Sequence, residues 1–397
     1  MRFEATRNLA FVMALITLTL TACSHGAKLN DTTTTPLPSV PGAITSAEPS
    51  QSPNSTTADS ISSLKPYADI RGGIFTGDNV LSPSEYKVED MHTYQFNEHT
   101  VFTGNETLQQ EIMENGKNPG LGIRALHGRG ITGEGVSVAI MDEPIFLESP
   151  EFSDRIADYY ECYGVDSQGG MHGNAVTSIL AGKTCGVAPG VKVYYVAAPS
   201  GSSDSAYWAD GLNWIIDKNE TLPENEKIRL VSASGNFSGP ECNFENQKKW
   251  EDAVARAKAA GILVISCSVG TDTHFTSGGY YDYADPDNIQ NARNGWWNYG
   301  QSEPEPTQEG IISVPVNFRT TLEQYDKGDY FFRYAGQGGE SWGVPYAAGV
   351  LALGWQINPQ LSPDEIKELL IESAYENRYG ERIIYPSAFV EMVENTL

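Results

Sequence analysis

The sequence predicts an α/β fold, a mostly parallel sheet covered by helices, and three observations carry that expectation. Residues 136–141, 191–197, 228–233 and 262–268 are almost continuously apolar, as strands buried on both faces must be. Segments 205–218 and 247–259 carry apolar residues at three- and four-residue spacing, which gives a helix one buried stripe. The two patterns alternate along the chain, as parallel strands joined by crossover helices require. With 397 residues and a 40% hydrophobic fraction, the chain can fill one large core.

From the amino end, residues 1–23 stand apart: Arg2 and Arg7 precede an apolar run over 9–20, too short to span a bilayer permanently and built like a signal peptide. Its end, Leu20-Thr21-Ala22-Cys23, resembles the lipobox of bacterial lipoproteins, which implies that Cys23 is lipidated through its sulfur and becomes the mature N-terminus. Several acyl chains make such an anchor stable, whereas one binds only marginally. The alternative is ordinary secretory cleavage beside an incidental cysteine. Residues 24–65 are rich in Ser, Thr and Pro, without an aromatic residue or a periodic apolar pattern, so a disordered tether is expected. Residues 66–120 read as an irregular extension, and the folded domain is expected over 121–397.

Within that domain the strand at 136–141 leads into Asp142. His172 opens a helix whose Ala175, Ser178, Ala181 and Gly182 allow close approach to the sheet. After the remaining strands, a helix is expected over 341–356. Another opens at Ser362-Pro363-Asp364-Glu365, which combines an N-cap serine, proline in the first helical position and a capping-box glutamate. Apart from Cys23 there are four cysteines, Cys162, Cys185, Cys242 and Cys267, an even number in a chain read as exported. Proximity favours Cys162 with Cys185 and Cys242 with Cys267, but the other pairings and free buried thiols remain open.

Open parallel sheets place functional groups at the carboxyl ends of their strands. Asp142 sits at such an end, and His172 and Ser341 begin helices. A serine hydroxyl near neutral pH needs an imidazole to take its proton and a carboxylate to hold the imidazole's tautomer. Singly, an aspartate after a strand, a histidine at a helix start and a serine before a helix are ordinary caps. The three together, in this order and spacing, are not accounted for by capping. His25, His92, His99, His127 and His274 have no comparable surroundings and receive no catalytic role.

From about residue 122 onward the chain resembles the subtilisin-like serine peptidases. Gly133-Glu-Gly-Val-Ser-Val-Ala-Ile-Met-Asp142 matches the family's strand to its aspartate; His172-Gly-Asn-Ala-Val, then Ala181-Gly182 and Gly186-Val-Ala-Pro-Gly190, matches the histidine helix and its exit. Gly339-Glu-Ser-Trp-Gly-Val-Pro345, then Ala348-Gly349, is similar to the family's Gly-Thr-Ser-Met-Ala-Thr-Pro segment, and Asn358-Pro-Gln-Leu-Ser-Pro363 to the loop that follows. The resemblance implies a three-layer α/β/α fold with a mostly parallel central sheet. It also implies a serine endopeptidase in which Asp142 orients, His172 is the general base and acid, and Ser341 is the nucleophile.

Two positions depart from the family. Gly270 falls where the family has an asparagine that stabilises the oxyanion, and Glu340 replaces the threonine before the nucleophile. Loss of one such donor costs about 2.7–4 kcal/mol. Either the stretch Thr271-Asp272-Thr273 supplies a substitute donor, or Glu340 or Asp272 donates as a protonated acid, or the peptidase is slow or dead. By resemblance, substrate extends as a strand along Ser232-Ala233-Ser234-Gly235-Asn236. Tyr280, Tyr281, Tyr283, Trp296, Trp297 and Tyr299 either line a pocket or cover the core, with packing favoured.

No organic cofactor is expected and no metal ligand is assigned. Asp282, Asp285 and Asp287 are the candidates for calcium, although their spacing matches no EF-hand loop. The net charge of −25 sets nucleic acid aside as a partner and suits a domain held outside the cytoplasm. The expected partners are a peptide or protein substrate and the lipid anchor in the membrane of the cell envelope, the protein acting as a monomer. Residues 66–120 are too short and too weakly patterned for the folded propeptide of secreted relatives, so a permanent extension is expected. The rival expectation is a catalytically silent lipoprotein of the same fold that binds peptides or a partner, and an esterase or amidase ranks below it.

Overall fold

The computed structural model describes residues 64–162, 169–199, 201–295 and 306–397. Cys23, the expected signal peptide, residues 24–63 of the expected tether, and Trp296, Trp297 and Tyr299 lie outside them.

The extension is not irregular. It holds strands β1 (Asn79–Leu81), β2 (Gln95–Asn97) and β3 (Thr100–Phe102) and a twelve-residue helix, α1 (Glu106–Lys117). β1 pairs with β3 in parallel. α1 escapes a pattern reading because its inward stripe is thin, Ile112, Met113 and Gly116 among mostly polar residues. Tyr94, Phe96 and Phe102 are fully buried, so the extension contributes to the main core instead of lying on it.

The domain follows as α2 (Ile123–Gly128), β4 (Ser137–Asp142), β5 (Ile156–Glu161), α3 (Met171–Ala181), β6 (Lys192–Ala197), α4 (Ser205–Thr221), β7 (Ile228–Ala233), α5 (Gln247–Ala259) and β8 (Leu263–Ser266). Strands β5-β6-β4-β7-β8 form a five-stranded sheet, parallel throughout. Alternation sorts its side chains: Ala139, Met141, Tyr194 and Val196 pack on the α4 and α5 side, while Val138, Ile140, Val193 and Tyr195 face the other way, with residues of α3. β5 escapes a pattern reading because its side chains are half-buried or exposed.

Past β8 come β9 (Thr276–Tyr280), β10 (Arg293–Asn294), β11 (Ile312–Pro315), β12 (Arg319–Asp326), β13 (Asp329–Ala335), α6 (Glu340–Ile357), α7 (Pro363–Glu372), β14 (Tyr375–Glu376), β15 (Arg382–Ile383) and α8 (Pro386–Glu394). α6, almost wholly buried, lies on the α3 side and completes the three layers. Strands β10-β9-β11-β15-β14 form a second, mixed sheet, so the parallel layer is interrupted after β8. β12 and β13 form a hairpin to which β2 of the extension adds an antiparallel edge, Arg333 opposite Asn97. The sequence gives no apolar signal for β12, since Arg319, Thr320, Thr321, Glu323 and Gln324 read as surface, yet all are at most 2% exposed. The capping box at Ser362 and Glu365 forms as expected.

Neither favoured cysteine pairing forms, and all four cysteines of the described residues are free. Cys162 packs on the α4 side of the sheet, whereas the Cys185 thiol donates to Ser178 O on the opposite side. Cys242 donates to Asn236 O, and Cys267 lies beside the Ser341 hydroxyl. Two of the three candidate calcium aspartates hold bonds within the protein. Asp287 accepts from Asn118 Nδ2 and the Gly122 N–H, and Asp282 from the Ala284 N–H and Asn291 Nδ2. Tyr281 is fully buried, and Tyr280 and Tyr283 pack against the core.

Candidate active site

β4 is buried along its whole length and delivers Asp142, 2% exposed, at its carboxyl end. One carboxylate oxygen, Oδ1, accepts from the Glu143 N–H at 2.8 Å and lies 2.7 Å from His172 Nδ1. His172 is the second residue of α3, where helical N–H groups lack intrahelical acceptors. Glu143 Oε2 accepts its backbone N–H at 3.2 Å, placing a carboxylate where the helix dipole favours one. Tyr195 on β6 in turn donates to Glu143 O, so the turn after β4 is held from the neighbouring strand.

Burial alone would lower the His172 pKa. The Asp142 charge and hydrogen bond, with Glu143 behind them, outweigh that and raise it above the ordinary imidazole value, and Arg333 opposes the rise. The imidazole side chain is 28% exposed against 3% for Asp142, so the ring has an open side while its carboxylate partner does not. The Trp342 ring lies 5.2 Å from the imidazole.

Ser341 is the second residue of α6, after N-cap Gly339. The approach is tight, because a Cβ at Gly338 would come within 1.8 Å of Val316 O. Pro345 sits four residues after Ser341 and has no N–H for the Ser341 carbonyl. That carbonyl accepts the Ser234 hydroxyl instead, at 3.1 Å, while the Ser341 hydroxyl donates to Ser234 O at 3.3 Å. A reciprocal pair thus docks the serine on the end of β7. The Cys267 thiol lies against the same hydroxyl; burial, with the Glu340 and Asp142 charges, pushes its pKa well up and keeps it protonated.

The expected oxyanion residues are brought to this end of the molecule unequally. Gly270 is exposed with φ +76°, and Asp272 is exposed. The Thr271 hydroxyl donates to Ser268 O at 2.6 Å, which spends its proton within its own turn. Glu340 is half-buried in the first turn of α6. Of the expected substrate segment, Ser232 and Ala233 are fully buried within β7 and Ser234 is buried just past its end, leaving Gly235 and Asn236 half-buried. Their carbonyls are already engaged, by the Ser341 hydroxyl, the Cys267 N–H and the Cys242 thiol.

Glu143, Cys267, Trp342 and Arg333 join the site without having been expected there. The first three leave a sequence signal, since Glu143 and Trp342 adjoin Asp142 and Ser341 in the chain and Cys267 directly follows β8. Arg333 leaves none, because only the hairpin brings it to α3.

Residues 133–389 match the model of the subtilase family. The chain is 30% identical over 281 residues to the serine protease AprX of Bacillus subtilis (strain 168), covering 62% of each. It is 27% identical over 281 residues to subtilisin Savinase of Lederbergia lenta, covering 66% of this chain and 94% of that one. It spans about three fifths of the length of AprX and about two thirds of the M-protease of Shouchella clausii (strain KSM-K16). Among solved structures, fervidolysin from Fervidobacterium pennivorans superposes with a TM-score of 0.51 at 16% identity, covering 70% of this chain and 47% of that one. A structure of the subtilase cytotoxin SubAB assembly gives 0.52 at 16% identity, covering 71% and 97%. The matched span takes in the strand of Asp142, the helix of His172 and the helix of Ser341, and the chain belongs to the subtilase family.

Proposed function

We propose that this chain is a membrane-tethered, extracytoplasmic serine endopeptidase. The observation that carries the reading is the 2.7 Å contact between Asp142 and His172 Nδ1, with Ser341 docked at the start of α6 and its neighbour Trp342 against the same imidazole. Asp142 holds the tautomer that leaves Nε2 free to accept a proton. Rotation of the Ser341 hydroxyl from Ser234 O towards Nε2 prepares it to attack a peptide carbonyl, forming an acyl-enzyme that water then hydrolyses. The backbone N–H of Ser341, at the positive end of α6, faces the developing oxyanion. Substrate is a peptide or protein lying along Ser234, Gly235 and Asn236, and the Ser341 bond to Ser234 O breaks as it enters. Cys23, lipidated, anchors the chain to the cell envelope through the tether.

The test is a fluorophosphonate probe applied to cells making the full chain. Labelled protein is expected in the membrane fraction, with labelling abolished by Ser341→Ala and moved to the soluble fraction by Cys23→Ser. Labelling that survives Ser341→Ala removes the proposed nucleophile, and labelled protein that stays on the membrane in Cys23→Ser removes the anchor.

A second reading, a weak peptidase that works chiefly by binding, is favoured by the lack of a side chain at Gly270 and by the engaged Thr271 hydroxyl. Gly270→Asn separates the two. Asparagine tolerates the left-handed backbone there, and the nearest atom to the added Cβ is Pro240 Cδ at 3.5 Å. The variant is expected to raise kcat about ten- to hundredfold on a peptide substrate. A variant no faster than the parent means that another group already supplies the missing donor.

A further inference from the structure

A charged side chain of the extension enters a buried network that ends beside His172. Arg71, 3% exposed, donates through Nε to Asp69 Oδ1 at 2.9 Å and through Nη2 to Asp69 Oδ2 at 2.6 Å. Its Nη1 donates to Glu323 of β12 and, at 3.1 Å, to the Tyr325 hydroxyl. Glu323 is fully buried and accepts also from Tyr325 and from Asn97 of β2. Arg333 of β13, 3% exposed, lies 3.9 Å from the same carboxylate. Its Nη1 reaches 3.7 Å from the sulfur of Met171, the residue that opens α3 immediately before His172.

We propose that Arg71 is a positioning residue for His172, acting from the extension through Glu323 and Arg333, so that the extension is a working part of the active site and not a removable prosegment. This rests on the catalytic reading above. With Arg71 in place, Glu323 is shared between two cations and Arg333 remains extended towards α3. Without Arg71, Glu323 draws Arg333 to itself, and the network gains a negative charge near the imidazole. Among the described residues, the charges that act on His172 are Asp142 and Glu143 from the end of β4 and Arg333 from β13. Tyr195 of β6 donates to Glu143 O, and α6 brings the Trp342 ring against the imidazole and Glu340 beside Cys267. Among the described residues whose charges act on the imidazole, Arg333 is the cation, and Arg71 governs how far its charge is neutralised.

The test follows the His172 imidazole by NMR titration in the full chain carrying Ser341→Ala, which needs no activity, and compares it with the acid limb of kcat/KM in the active chain. Arg71→Met is expected to raise the His172 midpoint by about 0.3–0.5 pH unit, and Glu323→Gln to lower it by a similar amount. The double variant is expected to return to the parent value, and Arg71→Lys, which keeps the charge, to stay there. If Arg71→Met does not fold, Asp69→Asn decides, because that side chain is 39% exposed and its loss lowers the midpoint through the same network. Shifts in the same direction for Arg71→Met and Glu323→Gln, or no shift in any folded variant, overturn the proposal. Shifts of the imidazole as expected, with an acid limb that does not follow, uphold the coupling and count against the catalytic reading instead.

Discussion

Replacing His172 by alanine is expected to lower kcat about 10⁶-fold, and replacing Asp142 by asparagine about 10⁴-fold, the magnitudes found when these roles are removed from other serine peptidases. The two losses differ because the residues act at different distances from the reaction. Without the imidazole nothing takes the Ser341 proton, and the Cys267 thiol, held protonated, cannot substitute. Asparagine at 142 keeps the packing of a fully buried strand end but offers His172 Nδ1 a competing donor, so the ring is held in the wrong tautomer. The pH dependence follows from the same contact. The Asp142 carboxylate raises the His172 pKa against the effect of burial, and catalysis needs the neutral ring. Activity is therefore full above the raised pKa and falls as pH drops through it, with the acid limb higher than an ordinary imidazole gives. Steady-state turnover of a peptide substrate across pH checks both parts. A His172→Ala variant within a hundredfold of the parent would defeat the assignment.

The parallel sheet, its covering helices and the three residues at its carboxyl edge are legible in the sequence because their signals are local. Buried parallel strands must be apolar end to end, and the small residues of α3 and the glycines before Ser341 answer to close backbone approach. What escapes a sequence reading is held by distant polar contacts. β12 is a core strand built of Arg319, Thr320, Thr321, Glu323 and Gln324, whose partners lie up to 252 residues away, as with Arg71 and Glu323. The same blindness hides the link from the extension to His172, whereas α1 escapes because its apolar stripe is thin. The cysteine pairings fail for a related reason: Cys162 and Cys185 are near in sequence, but the sheet separates them.

Glu323→Ala is expected to destabilise the protein by about 3–5 kcal/mol. The carboxylate is fully buried between two guanidinium groups that are themselves 3% exposed, and it is the charge that compensates both. Alanine leaves both guanidinium groups with only the half-exposed Asp69 as the carboxylate of this network. It also removes acceptors from the Tyr325 hydroxyl and the Asn97 amide. Because Asn97 and Arg71 belong to the extension while Glu323 and Arg333 belong to the hairpin packed on α3, the cost falls on the joint between the two parts. Urea denaturation of the full chain is expected to keep one transition with its midpoint lowered, since Tyr94, Phe96 and Phe102 tie the extension into the common core. A loss below about 1 kcal/mol would mean that the network is hydrated and the extension a loosely held appendage. A separate early transition, with cleavage by added protease near Gly104, would mean that the extension unfolds by itself. In either case the route proposed from Arg71 to His172 would have no rigid body to act through.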